Sequence, residues 1–180
     1  LSDFLARLSE IPMESGRVPF GFAALAELSG LSAEEAEELA RTWDEWPPGR
    51  VRALFERLAG LAEEHTDLEF EVVFKAGLVV ADAEVRLVSV TSLAESADRT
   101  LAARFADLLE QDADPRVRAA AAASMATLCA IAAEGKLPAR GGERMRVALL
   151  RALEDRSEGA EVQMRALETA ALFGGAQVSS

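Results

Sequence analysis

Two stretches of this chain, 32 residues apart, carry the same pattern, and that recurrence limits what the chain can fold into. The first is Ala81–Leu93, ADAEVRLVSVTSL, and the second lies within Asp112–Leu128, DADPRVRAAAAASMATL. Overlaid, Asp82 falls on Asp114, Val85 on Val117 and Arg86 on Arg118. In each, an aspartate is placed to cap a helix, the valine begins its apolar stripe and the arginine follows in the first turn. Pro115 suits the first helical position after Asp114, where its missing N–H costs nothing. A period of this size is the mark of stacked helix hairpins, none of which can bury its apolar faces alone.

The remaining chain reads in the same terms. Residues 1–10 predict a short helix, Ile11–Pro19 a loop with two prolines and a glycine, and Phe20–Leu28 a second short helix stopping at Gly30. Ser32 opens a clearer helix, a capping box with Glu35, whose stripe is Ala36, Leu39, Ala40 and Trp43. Trp46-Pro47-Pro48-Gly49 ends it, and the next helix points Val51, Leu54, Phe55, Leu58 and Leu61 inward. Further helices are predicted over Leu68–Val80, Ala83–Glu95, Arg99–Glu110 and Pro115–Ala133. The inward set of the last is Val117, Ala121, Ser124, Met125, Leu128, Ile131 and Ala132. Glu134–Gly142 predicts the longest loop, followed by helices over Glu143–Leu153 and Gly159–Phe173 and a frayed tail, 175–180. From Ser32 on, these make four antiparallel pairs, their second helices beginning at Val51-Arg52, Val85-Arg86, Val117-Arg118 and Val162-Gln163.

With D-A-D-P-R-V-R-A-A-A at 112–121 and A-D-A-E-V-R-L-V-S-V at 81–90, the chain resembles HEAT repeats, in particular the bacterial HEAT-like repeats grouped with phycobilisome-lyase proteins. The resemblance spans Ser32–Gly174 and is most specific in the two middle repeats. It implies an all-α fold: a right-handed α-solenoid of about four HEAT-like hairpins over 32–174, preceded by a short helical segment, 1–31. It also implies that Asp82 and Asp114 cap second helices and that Val85 and Val117 enter the core. Arg86 and Arg118 would then join an Asp/Arg ladder between repeats. Gln163 stands where a ladder arginine would be, and no clear aspartate precedes Val51, so the ladder is expected in the middle two repeats only.

Charge narrows the partners. The net charge is −12, unevenly spread: residues 1–96 hold 19 acids and 8 bases, residues 97–180 hold 12 acids and 11 bases. A polyanion is therefore a poor partner, and a basic protein segment attracted to the N-terminal half a better one. A single cysteine, Cys129, excludes an internal disulfide and fits a reducing compartment. The opening LSDFLARLSE is amphipathic rather than signal-like, and the longest uncharged run, Ala119–Ala133, is shorter than the roughly 20 apolar residues of a spanning helix. The expected setting is the cytoplasm.

No catalytic constellation assembles from the sequence. His65 and Cys129 fall two repeats apart, so a Cys/His pair is not expected, and Cys129 reads as a small core residue. CxxC, HxxxH and HExxH are all absent, and the run Glu34–Glu38 on a helix splays its carboxylates instead of converging them on a cation. Gly141-Gly142 and Gly174-Gly175 lack phosphate-loop spacing and read as turn and helix-stop residues. Arg140, Arg144, Arg146 and Arg151 make a basic cluster, which pairing with acids such as Glu143 and Glu154 would neutralise. Trp43 sits on an apolar stripe. Trp46 lies off the helix, where packing or contact with a partner would account for it equally. The sequence thus reads as a non-enzymatic scaffold without cofactor or metal. Its alternatives are an accessory subunit of a bilin lyase, which the resemblance suggests, and a HEAT-like DNA-binding or repair protein.

Overall fold

Caps and prolines cut the chain into short helices, and the computed structural model, which describes residues 21–46 and 49–176, shows where each cut falls. Among the described residues there is no strand, and the fold is all-α. The helices are α1 (Phe22–Ala26), α2 (Ala33–Thr42), α3 (Arg50–Glu64), α4 (Glu71–Gly77), α5 (Ala83–Ser92), α6 (Leu101–Gln111), α7 (Pro115–Ala133), α8 (Ala139–Glu154) and α9 (Ala160–Ala176). A 3-10 turn, Trp43–Glu45, follows α2. The readings of 1–20, Pro47, Pro48 and 177–180 lie outside the described residues.

Local chemistry explains the starts. At α2 the capping box is complete: the Glu35 N–H donates to Ser32 Oγ at 3.2 Å, and the Ser32 N–H donates to Glu35 Oε2 at 2.9 Å. Before α5, Asp82 accepts the Glu84 N–H at 2.9 Å, and before α7, Asp114 accepts the Arg116 N–H at 2.8 Å. Gly30 takes a left-handed φ of 70° after α1, the helix-stop conformation that glycine adopts without a Cβ penalty.

The chain divides into two compact units, Leu1–Ser92 and Leu93–Ser180, and within each the packing has one order. In the first unit α2 packs on α4 and α3 on α5, while α4 and α5 pair as a hairpin. In the second, α6 packs on α8 and α7 on α9, with α6–α7 and α8–α9 as the hairpins. First helices thus stack on first helices and second on second. Residues 21–31 are part of the first unit's packing: Leu25 and Leu28 are fully buried, and the Gly30 N–H donates to the Glu69 carbonyl at 2.8 Å.

The first core centres on Phe55, which meets Trp43 and Phe74 edge-on with centroids 5.3 and 6.0 Å away. Val85 is fully buried, whereas Val51 is only half-buried, because the neighbouring Arg50 takes the inward place. Gly77 ends α4 against this cluster, and a Cβ there would overlap the Ser89 hydroxyl and the Phe55 ring. The second core is built around α7, in which Val117, Ala119, Ala121, Ala122, Ser124, Met125, Leu128 and Cys129 are all buried. That set covers more than one stripe, since α6, α8 and α9 all pack on this helix. Ile131 and Ala132, expected inward, are half-buried at its end. By length and composition α7 could cross a membrane, but it is also what a core helix packed from several sides looks like.

Several boundaries differ from those predicted. The helix expected over Leu68–Val80 is only α4, because Phe70 leaves helical geometry at its start and Gly77 and the turn to Val80 close it. α5 stops at Ser92 instead of Glu95, and α6 starts at Leu101 instead of Arg99 because Asp98 holds the Thr100 N–H in a turn at 2.9 Å. The long loop Glu134–Gly142 shortens to 134–138. Gly135, at φ 69°, stops α7, while Gly141 and Gly142 lie inside α8, their N–H groups donating to the Pro138 carbonyl. Nor do Gly174 and Gly175 stop a helix, as α9 runs to Ala176.

Two substitutions test this packing. Gly77→Ala forces a methyl group into a filled site, and a loss of about 1–3 kcal/mol in urea unfolding is expected. Asp114→Ala removes an N-cap, and the same measurement is expected to show a loss of about 1 kcal/mol.

Candidate functional site

The residue after each second-helix valine does more than the sequence indicates. Arg86 Nη1 donates to the carbonyls of Val80 and Ala81, both at 2.8 Å, holding the turn that precedes its own helix. Arg118 Nη1 does the same to Asp112 and Ala113 at 2.8 and 3.3 Å. Gln163 donates to the Asp155 carbonyl at 2.9 Å, keeping this role without the charge. Arginines also reach from one helix to the turn before the helix stacked on it. In the first unit Arg52 Nη2 donates to both carboxylate oxygens of Asp82 at 3.1 and 2.8 Å. In the second, Arg118 makes a two-point bridge to Glu158, with Nε and Nη2 each 2.8 Å from an oxygen.

These bridges depart from a ladder confined to the middle repeats. α3 supplies Arg52, and the acceptor for Arg118 is Glu158, one residue before the place that matches Asp82 and Asp114. Glutamate's longer side chain covers the difference, so scanning for aspartate missed it. The bridges also set proton affinities. The hydrogen bond from Arg118 holds the Glu158 carboxyl below its ordinary range, helped by the Gly159 N–H and the arginine's charge. Burial pushes the Asp82 carboxyl up, but Arg52 and the Glu84 and Val85 N–H groups more than offset it, and it too lies low.

The residues considered for chemistry fall in different units. His65 belongs to the first unit, its ring 5.0 Å from that of Phe22. Cys129 is buried in the second, where burial pushes its thiol up to about 12 and keeps it protonated at neutral pH. Among the described residues no three His, Cys, Asp or Glu side chains are grouped to hold a metal ion. Trp46 is 8% exposed, and the Arg50 guanidinium, itself 2% exposed, lies over its ring at 5.1 Å.

What the second unit presents is an open groove of about 840 Å³ along α6 and α8. The two helices run parallel, since Ala102 faces Gly141 at one end and Glu110 faces Arg151 further on. A Cβ on Gly141 would meet that of Ala102 at 3.4 Å, a van der Waals contact, so the two helices lie close there. Ala102, Ala103, Pro138 and Val147 supply an apolar lining, and no aromatic ring is among the lining residues. Arg144 spans Asp107 and Glu110 at 2.7 Å each, and Arg151 meets the other Glu110 oxygen at 3.0 Å. Hydrogen bonding to Arg144 holds the Glu110 carboxyl low, and the same contact raises the affinity of Arg144 for its proton. Arg146, outside the groove lining, pairs with Glu143 at 2.7 Å. Arg99 and Arg140 line the groove as well, exposed and with no carboxylate partner among the described residues. Pairing therefore removes Arg144, Arg146 and Arg151 from the basic cluster read in the sequence and leaves Arg140, joined by Arg99.

Compared with protein-family models, with curated proteins and with solved structures, the chain matches none of them.

The Arg118–Glu158 bridge predicts a pH dependence. The Glu158 carboxyl lies lower in the folded chain than the roughly 4.3 of an unfolded glutamate, so its stabilisation is complete above that value. It is lost as pH falls toward the folded-state value. In urea titrations, Glu158→Gln is expected to lower stability at pH 7 and to flatten part of the decline between about pH 5 and pH 3.

Proposed function

We propose that this chain is a non-enzymatic interaction module of the HEAT-repeat type, in which about four hairpins build a right-handed α-solenoid that holds a protein partner. The packing order carries this reading: in both units first helices stack on first and second on second, with arginine bridges joining successive turns. Hairpins stacked in this way expose a continuous row of helix surfaces, which such proteins use to hold extended segments. Asp82, Val85 and Arg86, with Asp114, Val117 and Arg118, are the positions that set the stacking.

The partner proposed for the first unit is a basic protein segment. Glu34, Glu37 and Glu38 on α2 are exposed and make no ion pair among the described residues, so their field is not cancelled locally. A cytoplasmic setting belongs to the same proposal. Support for it comes from α7, which is packed by α6, α8 and α9, together with the charged helix surfaces.

A labelled lysine-rich peptide titrated against the protein tests the partner chemistry. Saturable binding is expected, weakening as salt rises and reduced roughly tenfold by the combined change Glu34→Lys, Glu37→Lys and Glu38→Lys. Binding that ignores salt, or that survives charge reversal, would rule out the electrostatic part.

A further inference from the structure

We infer that the α6–α8 groove of the second unit is a docking site for an acidic peptide segment: one or two carboxylates between Arg99 and Arg140, then small apolar side chains. This rests on the reading of the chain as an interaction module, but not on the charge of whatever binds the first unit.

Two positive charges are left over once the groove has made its own ion pairs. Seven charged side chains line it: Arg99, Arg140, Arg144, Arg151, Asp107, Glu110 and Glu143. Arg144 and Arg151 are satisfied by Asp107 and Glu110, and Glu143 by Arg146. Only Arg99 and Arg140 remain, and both stand where α6 and α8 begin. The parallel course of the helices places these beginnings at the same end of the groove. A guanidinium is a planar fork suited to two-point recognition of a carboxylate, so two of them with no ion pair of their own offer donors to one.

The rest of the groove selects the residues next to the carboxylate. Beyond the arginines the lining is Ala102, Ala103, Gly141 and Val147, which leave room for a peptide backbone and short apolar side chains. Further on come Asp107 and Glu110. A nucleic acid laid along this path would carry its further phosphates past arginines that are already paired, on a chain whose net charge of −12 repels a polyanion. A peptide with its acids at one end avoids that repulsion. The volume, about 840 Å³, lies within the range of sites that take a few residues or a small ligand.

The test uses the whole chain and a fluorescein-labelled octapeptide in which two glutamates precede leucine, alanine and valine, read by fluorescence anisotropy. Saturable binding is expected, with each of Arg99→Glu and Arg140→Glu weakening it about tenfold or more. Neither arginine holds an ion pair among the described residues, so both variants should melt like the parent. Arg104→Glu, an exposed α6 arginine outside the groove lining, should leave binding unchanged. Absence of saturable binding, an equal loss with Arg104→Glu, or displacement of the peptide by a single-stranded DNA oligonucleotide more readily than by unlabelled peptide would each overturn the assignment. Failure of the lysine-rich peptide alone would count against the first unit's partner and leave the groove standing.

Discussion

Stacking in each unit depends on an arginine placed between two turns, and in the second unit a single side chain serves both. Arg118 spends Nη1 on the carbonyls of its own turn and Nε with Nη2 on Glu158 in the turn of the next hairpin. A guanidinium can do this because its five donors sit in one rigid plane, whereas a lysine ammonium would have to choose. At 19% exposure for the arginine side chain and 9% for the glutamate, the bridge is sheltered enough to outweigh the small worth of a surface pair. Gln163 keeps the first role and drops the second. Turn-holding and hairpin-joining are therefore separable functions of one position, and the amino acid present decides whether both are carried out.

Alanine does the complementary work in the core. α7 is packed by three helices, and a wide set of larger side chains on it would hold them all apart. Ala119, Ala121 and Ala122 let them approach, and the approach is close enough for Thr169 to donate to the Ala122 carbonyl at 2.9 Å inside the interface. Gly77 in the first unit solves the same problem at a single point.

Features set by local chemistry were legible in the sequence. Asp114, Ser32 with Glu35, and the spacing of Val85 and Val117 are read from neighbours within a few residues, and caps and burial fall where those neighbours put them. What escaped was decided by groups far along the chain. Gly141 and Gly142 look like a stop, yet they lie in the first turn of α8, a helix held by its packing on α6 and α9. Val51 fits the apolar stripe but yields the buried place to Arg50, whose guanidinium covers Trp46. Glu158 was invisible because its partner lies 40 residues away and its register is off by one.

The groove shows the same limit in its strongest form. Counting charges along the chain makes 97–180 nearly neutral and makes Arg140–Arg151 look like one basic cluster. Neither description survives folding. Acids on α6 neutralise arginines on α8, Glu143 neutralises Arg146 along α8 itself, and the positive charge that remains in the groove lining belongs to Arg99 and Arg140, 41 positions apart in sequence. Net charge governs how the chain meets other molecules at distances beyond a Debye length, roughly 8 Å. Within that distance, what a partner meets is the charge that intramolecular pairing has not already used. On that measure the first unit offers the carboxylates of α2 and the second the two guanidiniums at the head of its groove, so one acidic chain can present unpaired charge of both signs.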